Sequence, residues 1–579
     1  MATRKVADII VDTLQSAGVK RCYGIAGDTL NHITDAIRRS DIEWIHMRHE
    51  EAGAMAAGGD SLMSGELTAC AGACGPGSLH FINGLFEAHR NRAPVVLIAT
   101  QIATSEMGMD FPQEVDLKPI YDTCSHFCCY IHSPAQARRV TALAAQAALN
   151  KRGAAVIIVP GDVANMEVED GLPFRAHQPQ PVLRPSDSEL DAVAALLNAG
   201  KRVTLYCGSG CEGAEQEVIA LAEKLQAPVA HTSRAKDFIE PNNPYNMGMT
   251  GIIGMESGFR AIDACDTLLL LGADFAWSQF YPNEAKLIQI DHEATHLGRR
   301  HPIDLGVVGD IKHTLEALLP RLEQREDHAF LRNSLKYRQQ TLENLAVQEQ
   351  PGKDGLIHPQ YLTHLLDLHA DEDAIFTADG GSPMVWLLRH IHSNGKRRTL
   401  TSLVHGTMAN AMPSALGIKK GLPQRQVISL SGDGGLAMLL GDLLTAIQEN
   451  IPIKVVVYNN SSLGFVEMEQ KVEGLLDSYT DLKNPDFAKV AEAIGFHAQR
   501  VEHADALEAA VRDLLAQPGP ALLDVKVNRY ELVMPPKIEP GQVLHTALYS
   551  AKAVLAGRGR DVVELIRSNF ADRTGDVKE

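Results

Sequence analysis

At 579 residues the chain is long enough for several domains. Its 45% apolar and 22% charged residues are ordinary globular chemistry, and a formal net charge of -18 argues against a nucleic-acid binder, which needs a basic footprint. No apolar run reaches the roughly eighteen residues that cross a bilayer, and no cationic leader precedes an apolar core, so neither a membrane span nor secretion is expected.

The first block, residues 1–180, alternates helix and strand. Helical periodicity runs from Val6 to Leu14, and short apolar strands are predicted at Cys22–Ile25, Ile42–Ile45, Leu67–Cys70, Pro94–Ala99 and Ala154–Val159. That alternation predicts a doubly wound α/β domain with a parallel sheet covered on both faces. Arg48-His49-Glu50-Glu51 opens a small-residue helix, AGAMAAGG. Taken alone, acids in a first helical turn need no more reason than the helix dipole. The nine cysteines include the pairs Cys70/Cys74 and Cys207/Cys211 and the cluster Cys124/Cys128/Cys129 near His126. The pairs are spaced by three residues rather than the two of many zinc sites, so reduced buried thiols of a cytoplasmic protein are expected.

A linker rich in Pro and Ser, residues 177–188, leads into a second α/β block, 183–334. Its strands start at Val203, Ala227, Thr267 and Lys286. The turn from Cys207 to Ala214, with Gly208 and Gly210, has the look of a dinucleotide loop but fits the full fingerprint loosely. Thr250-Gly251-Ile252-Ile253-Gly254, Gly272-Ala273-Asp274-Phe275 and Gln289-Ile290-Asp291-His292 read singly as loops and strand caps.

A charged helical stretch, Glu326 to Gln348, carries the chain to a third block, 335–530. Its first strand, from Ala374, ends at Asp379-Gly380-Gly381-Ser382. Ser431 to Phe465 is the most informative stretch. An apolar run leads into Gly432-Asp433-Gly434; a helical pattern follows; a second apolar run ends at Asn459-Asn460. Two strands joined by a helix make a right-handed parallel crossover. It puts Asp433 and Asn460 at strand carboxyl ends, where open α/β sheets bind ligands. A carboxylate and an amide oxygen suit a hard cation such as magnesium that can carry phosphates. Gly432 and Gly434 let backbone amides approach a diphosphate. The tail, 531–579, places Val562, Val563, Ile566 and Phe570 at helical spacing among Lys552, Arg558, Arg560 and Arg567. Such a helix lies in a bilayer interface or packs on its own subunit.

The motif from Ser431 to Phe465 resembles that of thiamine diphosphate (ThDP) enzymes. The resemblance implies Mg2+ held by Asp433, Asn460 and the carbonyl of Ser462, with Gly434, Gly435, Ser461, Leu463 and Gly464 against the cofactor. Arg48-His49-Glu50-Glu51 with its small-residue helix resembles the motif whose Glu bonds N1′ of the aminopyrimidine, here Glu50, leaving Glu51 to solvent. His405-Gly406-Thr407-Met408 matches the loop holding the aminopyrimidine, with Met408 wedged beneath the bent cofactor. Gly24-Ile25-Ala26-Gly27-Asp28, Gly75-Pro76-Gly77 with Asn83-Gly84, and Asp379-Gly380-Gly381-Ser382 fit the same family in order and spacing.

The middle block is similar to the FAD-binding domain of the pyruvate oxidase and acetolactate synthase branches. This implies that Gly251, Ile252, Ile253, Gly254, Asp274, Phe275, Ala276, Trp277 and Ser278 line the flavin and its diphosphate, and that Asp291 and His292 meet the adenosine. Over nearly the whole chain the similarity is to the flavin-dependent pyruvate:quinone oxidoreductase branch. The implied fold is three domains (pyrimidine-binding, FAD-binding and diphosphate-binding) with a helical tail. The implied activity is oxidative decarboxylation of pyruvate to acetate and carbon dioxide through a hydroxyethyl adduct of ThDP, with electrons passing through FAD to a ubiquinone-like membrane quinone. Phe465 matches a residue between the two cofactors. A homotetramer, bound peripherally to the inner face of the cell membrane through its tail, completes the expectation. Carboligation to acetolactate, or phosphate-dependent oxidation to acetyl phosphate, are the alternatives. Phe111-Pro112-Gln113-Glu114 departs from the family, which has an aromatic where Pro112 stands, and Pro fixes φ and removes a donor there.

Overall fold

The computed structural model describes residues 3–352, 355–531, 533, 540–556, 558–566 and 569, without the side chains of 540–547, 559 and 566. Three six-stranded sheets carry the chain, and every strand pair within them is parallel. Their central strands are buried on both faces, which is why those read as continuous apolar runs rather than alternating ones.

The first sheet runs from edge to edge as Glu43–His46, Arg21–Gly24, Thr68–Gly72, Val95–Gln101, Ala154–Pro160 and Cys128–Tyr130. The third runs Arg398–Thr401, Ile375–Ala378, Val427–Gly432, Lys454–Asn459, Ala521–Lys526 and His497–Val501. Numbered within each block, both have the order 2-1-3-4-6-5. The middle sheet differs: Asn246–Met249, Val229–His231, Val203–Cys207, Thr267–Leu271, Lys286–Asp291 and Leu305–Val308 give 3-2-1-4-5-6. That is the order of dinucleotide-binding sheets, with the ligand crevice at the reversal between Val203–Cys207 and Thr267–Leu271. The three blocks are therefore two of one topology around one of another.

The small-residue helix Glu50–Ser64 lies against Ala411–Gly421 of the third block. A methyl on Gly417 would stand 1.9 Å from the Ala56 carbonyl oxygen, and one on Gly59 2.8 Å from that of Ser414. The run of Ala and Gly is thus the requirement of two backbones in contact. Behind it Arg21 donates to the buried Asp60 at 2.5 and 3.0 Å, and Tyr23 joins them at 2.8 Å. The charged stretch after the middle sheet forms the helix Ala329–Gln348, largely exposed apart from Leu331 and Ser334.

In the tail, helices Pro540–Leu555 and Gly559–Ile566 pack against the third block. Val562 and Leu565 are buried with Tyr549 and Ala553, whereas Val563 is 60% exposed. The apolar face expected from Val562, Val563, Ile566 and Phe570 therefore divides. The side chain of Ile566, Arg567 and Phe570 lie outside the described residues. Two of the basic residues face inward: Lys552 donates to the Gly474 carbonyl at 2.7 Å and Arg558 to Asp477 at 2.6 Å. Among the described residues no helix is long and apolar enough to cross a membrane.

Candidate active site

The third sheet reverses its order between Ile375–Ala378 and Val427–Gly432, and the turns leaving these strands are Asp379–Gly381 and Gly432–Gly434. Asp433 opens a short helix from which its buried side chain returns to the next loop. One carboxylate oxygen accepts the Gly434 N–H at 2.9 Å; the other accepts the Ser461 N–H at 2.7 Å and the Asn484 amide at 2.8 Å. Burial pushes this carboxyl up, and no cationic side chain lies within ion-pair distance among the described residues. A buried carboxylate with amide donors, no ion-pair partner and only the more distant charge of Lys526 is a fit for a divalent cation.

The Asn460 side-chain oxygen accepts the Ser462 N–H at 2.9 Å and keeps a second lone pair. The segment is held in place by pairing with residues 480–482: Leu463 donates to the Thr480 carbonyl at 2.8 Å and Leu482 to that of Ser461 at 2.9 Å. Ser461 sits at φ 56, a left-handed conformation unusual for a residue with a Cβ. Lys526 donates to its hydroxyl at 2.5 Å. Among the described residues no three His, Cys, Asp or Glu gather as metal ligands. The set Asp433, Asn460 and Ser462 is of the other kind: one carboxylate, one amide oxygen and one backbone carbonyl, the hard-oxygen set that magnesium takes. Asn459, the other amide of the pair, is buried and donates to Asp524 at 2.9 Å.

Met408 meets this cluster. A methyl on Gly434 would lie 3.0 Å from Leu463, 3.2 Å from Leu482 and 3.3 Å from Met408. Gly406 has φ 73 and open space around it. Thr407 is tied down by its N–H to Ser402 at 2.9 Å. Gly435 packs on Asp379, and a methyl there would reach its carboxylate at 2.2 Å. A methyl on Gly464 would meet the Asn460 amide at 2.6 Å.

Glu50 is buried at the start of its helix, with Nδ1 of His80 3.0 Å from one carboxylate oxygen and the ring of His49 stacked on that of His80 at 4.9 Å. Its described partners belong to the first block, so within one chain it is not joined to Asp433. Glu51 does not stand in open solvent: Asn83 donates to it at 2.7 Å and to the Thr407 hydroxyl at 3.1 Å, and the Asn83 side-chain oxygen meets His405 at 2.8 Å. Asn83 thereby fastens the Glu50 helix to the loop that carries Met408.

In the middle block, residues 251–254, 274–278, 291 and 292 all follow the carboxyl ends of the sheet. Gly251, at φ 121, places a would-be methyl 3.2 Å from the half-exposed Trp277. Ile252 is 40% exposed, while Ile253 is buried and Arg389 of the third block donates to its carbonyl at 3.0 Å and to that of Gly254 at 3.1 Å. Ala276 and Ser278 are exposed. Among the described residues the buried Thr250 hydroxyl meets no hydrogen-bond partner. Asp291 receives His296 at 3.1 Å, the Glu293 N–H at 3.0 Å and His292 at 3.3 Å, all on Oδ1. Asp274 is clasped by Arg299 and Arg300, and Phe275 is buried beside Tyr206 and Tyr281. The glycines at 208 and 210 serve packing: methyls there would meet Gly272 at 2.2 and 2.7 Å, and their N–H groups already donate to Leu271 and Gly272 carbonyls at 2.9 and 3.1 Å.

Phe465 is half-buried against a cluster that includes Met249 and Ile253 from the middle block. Phe111 is 38% exposed, and the turn around Pro112 is closed by Glu114, which accepts the Phe111 N–H at 3.1 Å. All nine cysteines are free thiols.

His80, Asn484, Lys526 and Arg389 escaped the sequence. Asn484 lies 51 residues from its partner in a segment without local signature, and His80 lies between Gly75-Pro76-Gly77 and Asn83-Gly84 but 30 residues from Glu50.

Known proteins bear on this geometry directly. The N-terminal TPP binding domain, the central domain and the C-terminal TPP binding domain of thiamine pyrophosphate enzymes match residues 4–120, 190–318 and 379–525. An uncharacterized 42.6 kDa protein of Pseudomonas amyloderamosa is 49% identical over 360 residues, 61% of this chain and 90% of its own. Pyruvate oxidase of Lactiplantibacillus plantarum is 30% identical over 530 residues, 90% of this chain and 88% of its own. The acetolactate synthase isozyme 2 large subunit of Escherichia coli is 30% identical over 550 residues, 92% and 97% of the two chains. The chain belongs to the thiamine pyrophosphate enzymes, with that family's three domains on one polypeptide.

Proposed function

We propose that this enzyme oxidatively decarboxylates pyruvate to acetate and carbon dioxide and passes the electrons through FAD to a membrane quinone. The observation that carries the reading is the position of Phe465. It follows Ser462 by three residues and packs against the hydrophobic cluster that also takes in Met249 and Ile253 of the middle block, so the segment after the metal-side motif shares a core with the flavin-side loop.

Bound ThDP supplies the electron sink that lets carbon dioxide leave a 2-oxo acid, and the protein supplies position and charge. Asp433, Asn460 and the Ser462 carbonyl would hold Mg2+ and through it the diphosphate. Met408, Leu463 and Leu482 would form the apolar floor. Glu50, one oxygen turned to His80, would hold a proton at N1′ with the other. A partner subunit would bring its Glu50 to this Asp433, which makes at least a dimer, and a tetramer in our reading. For FAD, the unpartnered Thr250 hydroxyl and the Oδ2 of Asp291 are the acceptors and donors left over at the crevice of a dinucleotide-type sheet. The division 1–180, 183–334, 335–530 and 531–579 follows the same reading, with the tail as the bilayer contact.

Anaerobic addition of pyruvate to protein reconstituted with ThDP, Mg2+ and FAD tests it. Loss of the oxidised flavin absorbance together with one acetate per flavin, independent of phosphate, is expected. A second reading, carboligation, is favoured by the acetolactate synthase relative at the same 30% identity as the pyruvate oxidase. Acetolactate formed over unbleached flavin would replace the first reading by the second.

A further inference from the structure

Three loops meet at the carboxyl ends of the third sheet: 379–381, 407–411 and 432–435. The buried carboxylate of Asp379 is their common point. Oδ1 accepts the Ala411 N–H at 2.9 Å and Oδ2 the Gly432 N–H at 3.0 Å. The first donor stands three residues after Met408; the second directly precedes Asp433. Neighbouring bonds reinforce the junction. The Gly380 N–H donates to the Thr407 carbonyl at 3.2 Å and to the Asn410 side-chain oxygen at 3.1 Å, and Asn410 donates back to Ala378 at 3.0 Å. Ala409 is held at φ 64, and Gly435 has no side chain because Asp379 occupies its place, 2.2 Å from where a Cβ would be. Both oxygens are thus committed to backbone donors, and no cationic side chain is paired with them among the described residues. Burial accordingly pushes this carboxyl up to about 7.

We propose that Asp379 is a positioning residue that fixes the spacing between Met408, beneath the cofactor, and Asp433, at the metal. The inference rests on the reading of those loops as the ThDP and Mg2+ site. Its chemistry is specific. Asparagine has the same size but presents one N–H2 where an acceptor is needed, so one of the two loops must lose its anchor.

The test uses the full-length chain freed of cofactor by dialysis, with ThDP binding followed by calorimetry at saturating Mg2+. Asp379→Asn should raise the ThDP dissociation constant at least tenfold, and Met408→Ala should weaken binding in the wild-type background but add little to Asp379→Asn. Amide hydrogen exchange should quicken in peptides covering 407–411 and 431–435 and stay unchanged in strand Ile375–Ala378. Binding of ThDP by Asp379→Asn with wild-type affinity, or additive effects of the two substitutions, would overturn the inference. Should Asp379→Asn fail to fold, Gly435→Ala displaces the carboxylate from the opposite side with the acid retained, and it must show the same tenfold loss and the same non-additivity with Met408→Ala. Wild-type protein that takes up no ThDP would refute the site itself, an outcome separable from a failure of Asp379 alone.

Discussion

His80 Nδ1 lies 3.0 Å from a carboxylate oxygen of Glu50, with the His49 ring stacked behind it, so the acid at the head of the small-residue helix is oriented by a group from a different helix turn. The contact occupies one oxygen and aims the other. Glu50→Gln should lower kcat about 10²–10⁴-fold, the range of a lost acid–base group. It should also abolish deuterium exchange at the reacting carbon of bound ThDP, followed by NMR, while ThDP still binds. His80→Ala should give a smaller loss in the same exchange assay. Wild-type exchange in Glu50→Gln would remove Glu50 from the chemistry.

Asn484 donates to Asp433 at 2.8 Å and to Asn459 at 3.2 Å, sharing with the Ser461 N–H the carboxylate oxygen that the Gly434 N–H does not hold. Groups that orient a metal ligand typically cost about 10–100-fold in metal affinity when removed. Asn484→Ala should therefore raise the Mg2+ concentration for half-maximal ThDP binding by that factor. A titration superimposable on wild type would show that the two backbone amides alone suffice.

How far the sequence discloses this site depends on how local each feature is. Gly432-Asp433-Gly434 and Asn459-Asn460 are strand-end turns, and their spacing carries the crossover that puts them side by side. Nothing near Asn484 marks it, because its role is set by a chain segment 51 residues away; His80 lies in a recognisable stretch, between Gly75-Pro76-Gly77 and Asn83-Gly84, but its own role is set 30 residues away at Glu50. Strands fail on the same ground. The buried runs at Thr267–Leu271 and Lys454–Asn459 stand out, whereas the edge strand His497–Val501 alternates exposed and half-covered positions, Cys128–Tyr130 has three residues, and Asn246–Met249 contains Gly248 at φ 86. The tail shows the remaining limit. Helical spacing groups Val562 with Val563, but the surface that receives the helix takes Val562 and Leu565.

Glycine at 417 separates intrinsic propensity from packing. In an exposed helix, Gly→Ala is stabilising by about 1 kcal/mol. At Gly417 the new methyl would stand 1.9 Å from the Ala56 carbonyl oxygen, a backbone atom that cannot swing aside. Overpacking of this kind costs about 1–3 kcal/mol, so Gly417→Ala should lower the first thermal unfolding midpoint. Gly441→Ala, which meets nothing within 4 Å, should leave it unchanged. A raised midpoint for Gly417→Ala would mean that the two blocks separate before either unfolds.

The His89 and His126 rings lie 4.5 Å apart beneath Gly153, where a methyl would touch both. Burial, then the neighbouring His126 and Arg90, pushes His89 down from 6.5 to about 4. The sign follows from which state binds more protons. Between these two values the unfolded chain carries the proton and the folded chain does not, so protonation favours unfolding. The contribution of His89 to stability is complete above pH 6.5, falls as the pH drops from there to about 4, and is constant below. Asparagine can still accept the Ala154 N–H that His89 receives at 3.4 Å, without a titrating group. Thermal midpoints of wild type and His89→Asn should therefore converge as the pH is lowered through this window, the variant losing less than the wild type. Parallel midpoints across the window would show that the pair is relieved by movement of the rings rather than by loss of the fold.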